Sequence, residues 1–82
     1  MNLARDPKQL GNLIRRARKK ENLTQAMLGE KAGLRQETIS LIEGGNPATR
    51  IENILAVIAA LDLEFQIAHR SKNWDKDIEE IL

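Results

Sequence analysis

Residues Thr24 to Glu43, TQAMLGEKAGLRQETISLIE, hold two short helical segments, about 25–32 and 36–43, separated by a turn of only a few residues. No other part of the chain limits its fold so tightly. Thr24 stands where a side-chain oxygen can accept a backbone N–H of the first turn, and Leu23 before it can staple onto Leu28. Gly33 can take the left-handed conformation that stops the first segment. Two helices crossing this closely need a small residue at the crossing, which Gly29 supplies. They also need apolar backing, supplied by Leu28, Ala32, Leu34, Ile39 and Ile42.

The flanks carry the same period. Asp6 can cap a helix over about 7–20, Pro7 fits its first position, where no N–H is needed, and Gln9 completes a capping box. Leu10, Leu13, Ile14 and Ala17 recur at the spacing of a buried stripe. Arg15, Arg16, Arg18, Lys19 and Lys20 fill the rest, and Asn22 is a left-handed stop. Gly44-Gly45-Asn46-Pro47 is a firm break. Thr49-Arg50-Ile51-Glu52 reads as the best capping box in the chain, opening a helix over about 50–61. Ile51, Ile54, Leu55, Ile58 and Leu61 form its expected buried stripe, widened by Val57.

After this helix the period changes to two. Leu63-Glu64-Phe65-Gln66-Ile67-Ala68 alternates apolar and polar, the pattern of a half-buried strand. A lone strand leaves its backbone groups unpaired, and no hairpin partner is visible in the chain. Pairing with the same strand of a second copy about a two-fold axis solves this, with Leu63, Phe65 and Ile67 in the dimer interface. The other reading lays 63–68 as an extended tail over the first or fourth helix. The expected fold is therefore all-α, four to five helices, with one C-terminal strand pairing across a homodimer.

Residues 71–82 place Trp74, Ile78, Ile81 and Leu82 on one face, among Asp75, Asp77, Glu79 and Glu80. A helix this short is marginal alone, so it docks on its own domain or on a partner. The expected organisation is one domain over 1–70 and an acidic tail or short helix over 71–82.

Eighty-two residues without cysteine lack a disulfide or thiolate zinc site, so the small core needs a supplement, and oligomerisation is the simplest. No apolar run has the length of a signal peptide or of a membrane span, so the expected location is cytoplasmic. Catalysis finds little support. His69 is alone, Ser40 and Ser71 lack an arranged base, and the adjacent acids Glu79 and Glu80 point apart on a helix. No enzyme, cofactor or metal is expected. Charge is more informative: residues 1–35 hold nine Lys/Arg against three Asp/Glu, whereas 36–82 hold four against nine. One half suits a polyanion and the other something else.

The stretch LTQAMLGEKAGLRQETISLIEGG resembles the helix-turn-helix of the phage-repressor-like, or XRE, DNA-binding proteins. Thr24-Gln25, Leu28-Gly29, Gly33, Gln36, Thr38-Ile39-Ser40 and Ile42-Glu43 fall in register, and the resemblance covers about 8–61. The extension LDLEFQIAHR is similar to that of the HipB-type antitoxins, whose dimers pair through such a strand. The resemblance implies a repressor of its own operon that binds a HipA-type serine/threonine kinase toxin, with Trp74, Ile78 and Ile81 as candidate docking residues. Two positions depart from the pattern. Met27 stands where an acid usually completes the second helix's capping box, and Arg35 where Ser, Thr or Gly often caps the third.

With Ile39 and Ile42 turned inward, the third helix presents Gln36, Glu37, Ser40 and Leu41 as candidates for base contact. Gln36 matches the family's base-reading glutamine and can grip adenine through N6 and N7. Leu41 either meets a thymine methyl or is an ordinary exposed leucine. Glu37 either serves the helix dipole or accepts from cytosine N4. Thr24, Gln25, Arg35, Asn46, Thr49 and Arg50 lie at helix starts and in the loop after the third helix, as phosphate candidates, and the Gln25 amide can also brace Gln36. The cations of the first helix supply long-range attraction or a solvated face. The expected target is a palindromic double-stranded operator. A stand-alone phage-type repressor without a toxin, and an interaction adaptor that binds no DNA, stay open as alternatives.

Overall fold

The computed structural model describes residues 3–70. Four helices follow in order: α1 (Pro7–Lys20), α2 (Gln25–Ala32), α3 (Gln36–Glu43) and α4 (Ile51–Ala60). Their ends follow from local chemistry. The Asp6 carboxylate accepts from the Gln9 N–H at 2.7 Å, and Pro7 occupies the first turn. Gln9 does not close the box back onto Asp6; its Oε1 accepts from the Arg5 N–H instead. Asn22 leaves α1 at φ 60°, the left-handed stop that its short amide side chain tolerates. Thr24 Oγ1 accepts the Met27 N–H at 3.0 Å and so caps α2. Gly33, at φ 75°, ends that helix.

α4 begins differently from the capping box that Thr49 and Glu52 suggest. Its N-cap is Arg50, which makes no side-chain cap bond, and the Thr49 hydroxyl donates to the Asn46 carbonyl at 2.8 Å. Asn46 Oδ1 in turn accepts the Ala48 N–H. These bonds fold the α3–α4 loop on itself, and the threonine is drawn away from the helix end.

Ile14, Leu28, Ile39, Ile42, Val57 and Leu61 form the core, with Leu10, Ala17, Leu23, Ala32, Leu34, Ile54 and Ala60 packed around it. Removing each large apolar side chain from water contributes about 1.5–3 kcal/mol. Two glycines let backbones meet. A Cβ on Gly29 would stand 2.7 Å from the Leu34 carbonyl, which is why the α2–α3 turn can be so tight. A Cβ on Gly11 would stand 2.5 Å from the Ile42 carbonyl and 2.6 Å from that of Glu43, so α1 rests directly on the end of α3.

The stripe expected on α4 is only partly buried. Val57, Ile58 and Leu61 are covered, but Ile51 and Leu55 are 59% and 44% exposed. Beyond α4, Asp62 turns the chain at φ 59°, and the Leu63 N–H closes onto the Ile58 carbonyl. Residues 63–70 then run exposed with neither helix nor strand, so the described residues contain no strand within the single chain. The strand expected over 63–68 is therefore not formed by the single chain, where the alternating pattern has no ladder partner. The extended-tail reading gains little support, because Leu63 and Phe65 are each 47% exposed and Ile67 is 91% exposed.

Candidate nucleic-acid interface

α3 is held from behind and open in front. Ile39 is wholly buried and Ile42 nearly so, while Gln36, Glu37, Ser40 and Leu41 all stand exposed on the other side. The structure thus brings the four candidates for base contact to one accessible surface. Beside Ser40 and Leu41 lies a shallow depression of about 400 Å³, completed by Gly44, Gly45, Asn46 and Pro47.

What holds the helix at this angle is a polar cluster that the sequence pattern hides. Arg18 and Glu43 are 8% and 7% exposed, and Arg18 Nε donates to Glu43 Oε2 at 2.7 Å while Nη2 donates to Oε1 at 3.1 Å. Arg18 Nη1 also donates to the Leu23 carbonyl at 2.7 Å. Gln25 Nε2 reaches the same carboxylate at 3.2 Å. One buried fork therefore ties α1, the turn before α2, the first residue of α2 and the last residue of α3. A bidentate guanidinium–carboxylate pair fixes orientation as well as distance.

This cluster corrects two expectations. Arg18 is not part of the solvated cationic face, and Gln25 turns its amide to Glu43 rather than bracing Gln36. The signal was present in the spacing. Gly11, Ile14 and Arg18 stand at i, i+3 and i+7, so Arg18 lies on the apolar stripe and not opposite it. Nothing local indicates that its partner lies 25 positions away.

The phosphate candidates separate into two kinds. Thr24, Arg35 and Arg50 are exposed at the starts of α2, α3 and α4. Arg35 makes no side-chain cap bond to α3, and Arg50 holds only a solvent-exposed contact of 3.3 Å with Glu52, which contributes little. Asn46 and Thr49 are half-buried, and the Thr49 hydroxyl donates to the Asn46 carbonyl, so both shape the loop. Arg15, Arg16, Lys19 and Lys20 remain exposed along α1. Among the described residues no group of acids and histidines could hold a metal ion, and no helix is long and apolar enough to cross a membrane. Trp74, Ile78 and Ile81 lie outside the described residues.

Comparison with known proteins gives this geometry a lineage. The helix-turn-helix family profile matches residues 14–67. Among solved structures, a HipB variant in complex with an O2 20mer superposes at a TM-score of 0.81 with 27% identity, covering 87% of this chain and 99% of that one. A HipB–O4 20mer complex also gives 0.81, with 25% identity over 87% and 100% of the two chains. In a HipA–HipB–O2–O3 complex the matched chain gives 0.79 and 28% identity, with coverage of 87% and 100%. No curated protein sequence matches the chain. The chain belongs to the XRE-type helix-turn-helix family of DNA-binding proteins, and within that family its fold is similar to that of HipB.

Proposed function

We propose that the chain is a dimeric, sequence-specific transcriptional repressor and the antitoxin of a toxin–antitoxin pair, regulating its own operon and binding a HipA-type kinase toxin. The observation that carries this is a third helix locked from behind by the Arg18–Glu43–Gln25 cluster, with Gln36, Glu37, Ser40 and Leu41 exposed on its open side, where a major groove would be read. Likeness to a chain of a HipA–HipB–O2–O3 complex, over all of that chain and 87% of this one, supports the partner. Arg35, Arg50, Thr24 and the α2 backbone would position the helix on phosphates, and Gln36 would read adenine.

The dimer follows from what the single chain leaves uncovered. Leu63, Phe65 and Ile67 alternate on an exposed segment after α4, and Ile51 and Leu55 of α4 are exposed as well. A second copy related by a two-fold axis would pair the segments and cover both. The operator would then be palindromic, with half-sites one or more whole helical turns apart. Residues 71–82, with Trp74, Ile78 and Ile81, would form a separate tail that docks on the toxin.

The test is a titration of the promoter fragment upstream of this gene over a salt series, with the native operon expressed intact for copurification. Binding whose logarithm falls linearly with log salt, together with a kinase-like protein retained on the tagged chain, is the expected result. DNA binding without a retained partner would leave a stand-alone repressor, and no DNA binding at any salt would reject the reading.

A further inference from the structure

Glu37 and Leu41 stand one helical turn apart on the outward side of α3, both exposed. Leu41 is 52% exposed although Ile39 and Ile42 beside it are 0% and 3% exposed, so core packing does not account for it. Among the described residues the Glu37 side chain has no hydrogen-bond or ion-pair partner. Leu41 also forms one wall of the depression that runs on through Ser40, Gly44, Gly45, Asn46 and Pro47. Two of those residues are glycines without side chains. The Asn46 carbonyl and Oδ1 are held by Thr49 and Ala48.

We propose that Leu41 is a specificity-determining residue that reads the C5-methyl group of a pyrimidine, with the adjoining depression receiving that methyl. This rests on the DNA-binding reading above. In the major groove the largest apolar group on a base edge is the methyl at C5 of thymine or of 5-methylcytosine. Around it lie polar donors and acceptors, which a leucine would desolvate without a bond, and bare C–H edges that offer it less apolar surface. One helical turn rises 5.4 Å against about 3.4 Å between base pairs, so Glu37 and Leu41 address positions one or two steps apart. Leu41 rewards a methyl and so favours a pyrimidine at the position it addresses, whether or not Glu37 also reads a base.

The test is a set of synthetic duplexes of the bound promoter fragment, titrated with wild-type protein and with Leu41→Ala. In one arm each thymine is replaced singly by uracil; in the other each cytosine is replaced by 5-methylcytosine. Thymine reading predicts that one uracil per half-site weakens wild-type binding about fourfold, the value of one buried methyl, while Leu41→Ala is indifferent to it. Reading of 5-methylcytosine predicts instead a gain of similar size on methylation, again absent in Leu41→Ala. Indifference of the wild type to both substitutions, or equal sensitivity in Leu41→Ala, overturns the proposal while leaving DNA binding intact. Failure of the wild type to bind the unmodified fragment overturns the DNA-binding reading and this proposal with it. Leu41 is exposed, so an unchanged melting curve for Leu41→Ala shows that the fold is not the cause.

Discussion

The two flanks of this small domain are finished differently. Where α1 meets the end of α3, the buried polar groups of the cluster are partnered: Arg18 meets Glu43 and the Leu23 carbonyl, and Gln25 meets Glu43. On α4 and the segment after it, large apolar side chains lie open: Ile51, Leu55, Leu63, Phe65 and Ile67. The first flank is complete within one chain and fixes the direction of the recognition helix. The second is complete only when something covers it. A domain of this size buries a modest fraction of its surface, and under the proposed dimer a second copy on this flank would supplement stability and set the spacing between two recognition helices.

The closed flank is broken most severely through Glu43. Glu43→Ala leaves the Arg18 guanidinium buried without a counter-charge, which costs about 3–5 kcal/mol. Chemical denaturation should show this as a large fall in the midpoint, and operator affinity should fall as α3 loses its anchor. A loss below 1 kcal/mol would mean that water reaches Arg18 and that the cluster is not the lock proposed. The open flank is broken through Phe65. Phe65→Lys removes about 1.5–3 kcal/mol of apolar burial per protomer from a dimer and puts two ammonium groups near the two-fold axis. Light scattering should report monomers at concentrations where the wild type is a dimer, while the fold of each chain persists. An unchanged dimer would move the interface to Ile51 and Leu55 alone.

The same contrast governs what was legible in the sequence. Helix ends at Asp6, Asn22, Thr24 and Gly33 were readable because each depends on a residue acting within three or four positions of itself. The inner side of α3 followed from the spacing of Ile39 and Ile42. The Arg18–Glu43 fork was not readable, because its members are distant in sequence and Arg18 sits in a run of cations that looks solvated. Gly11 was missed for a related reason: its value lies in the α3 carbonyls that approach it, which no local pattern records. Ile51 and Leu55 were assigned to the core because periodicity shows that a side is apolar but not which molecule covers it. Thr49 has the right type and spacing for a cap, and only the competing Asn46 carbonyl diverts it.

Smaller effects test how the recognition helix divides its work. Gln36→Ala should cost about 1–3 kcal/mol against the cognate operator and relax the preference at one base pair. Titration over base-substituted operators checks it, and an equal loss on every sequence would assign Gln36 to the backbone rather than to a base.

The smallest expected effect is at Glu37, a carboxylate offered to a polyanion. It occupies the first turn of α3, where Arg35 provides no side-chain cap, and a negative charge there stabilises the helix by about 0.3–1 kcal/mol. Glu37→Gln should therefore lower thermal stability slightly and raise non-specific DNA affinity, since one repulsion with phosphate is gone. Those two changes are expected whether or not Glu37 touches a base. Base reading adds a third. A carboxylate accepts from cytosine N4 and repels the acceptors of guanine, whereas an amide can also donate and accept opposite adenine. If Glu37 reads a base, the preferred pair at one operator position shifts from cytosine toward adenine in Glu37→Gln. If the ranking of base-substituted operators stays the same while all affinities rise together, Glu37 serves the helix alone.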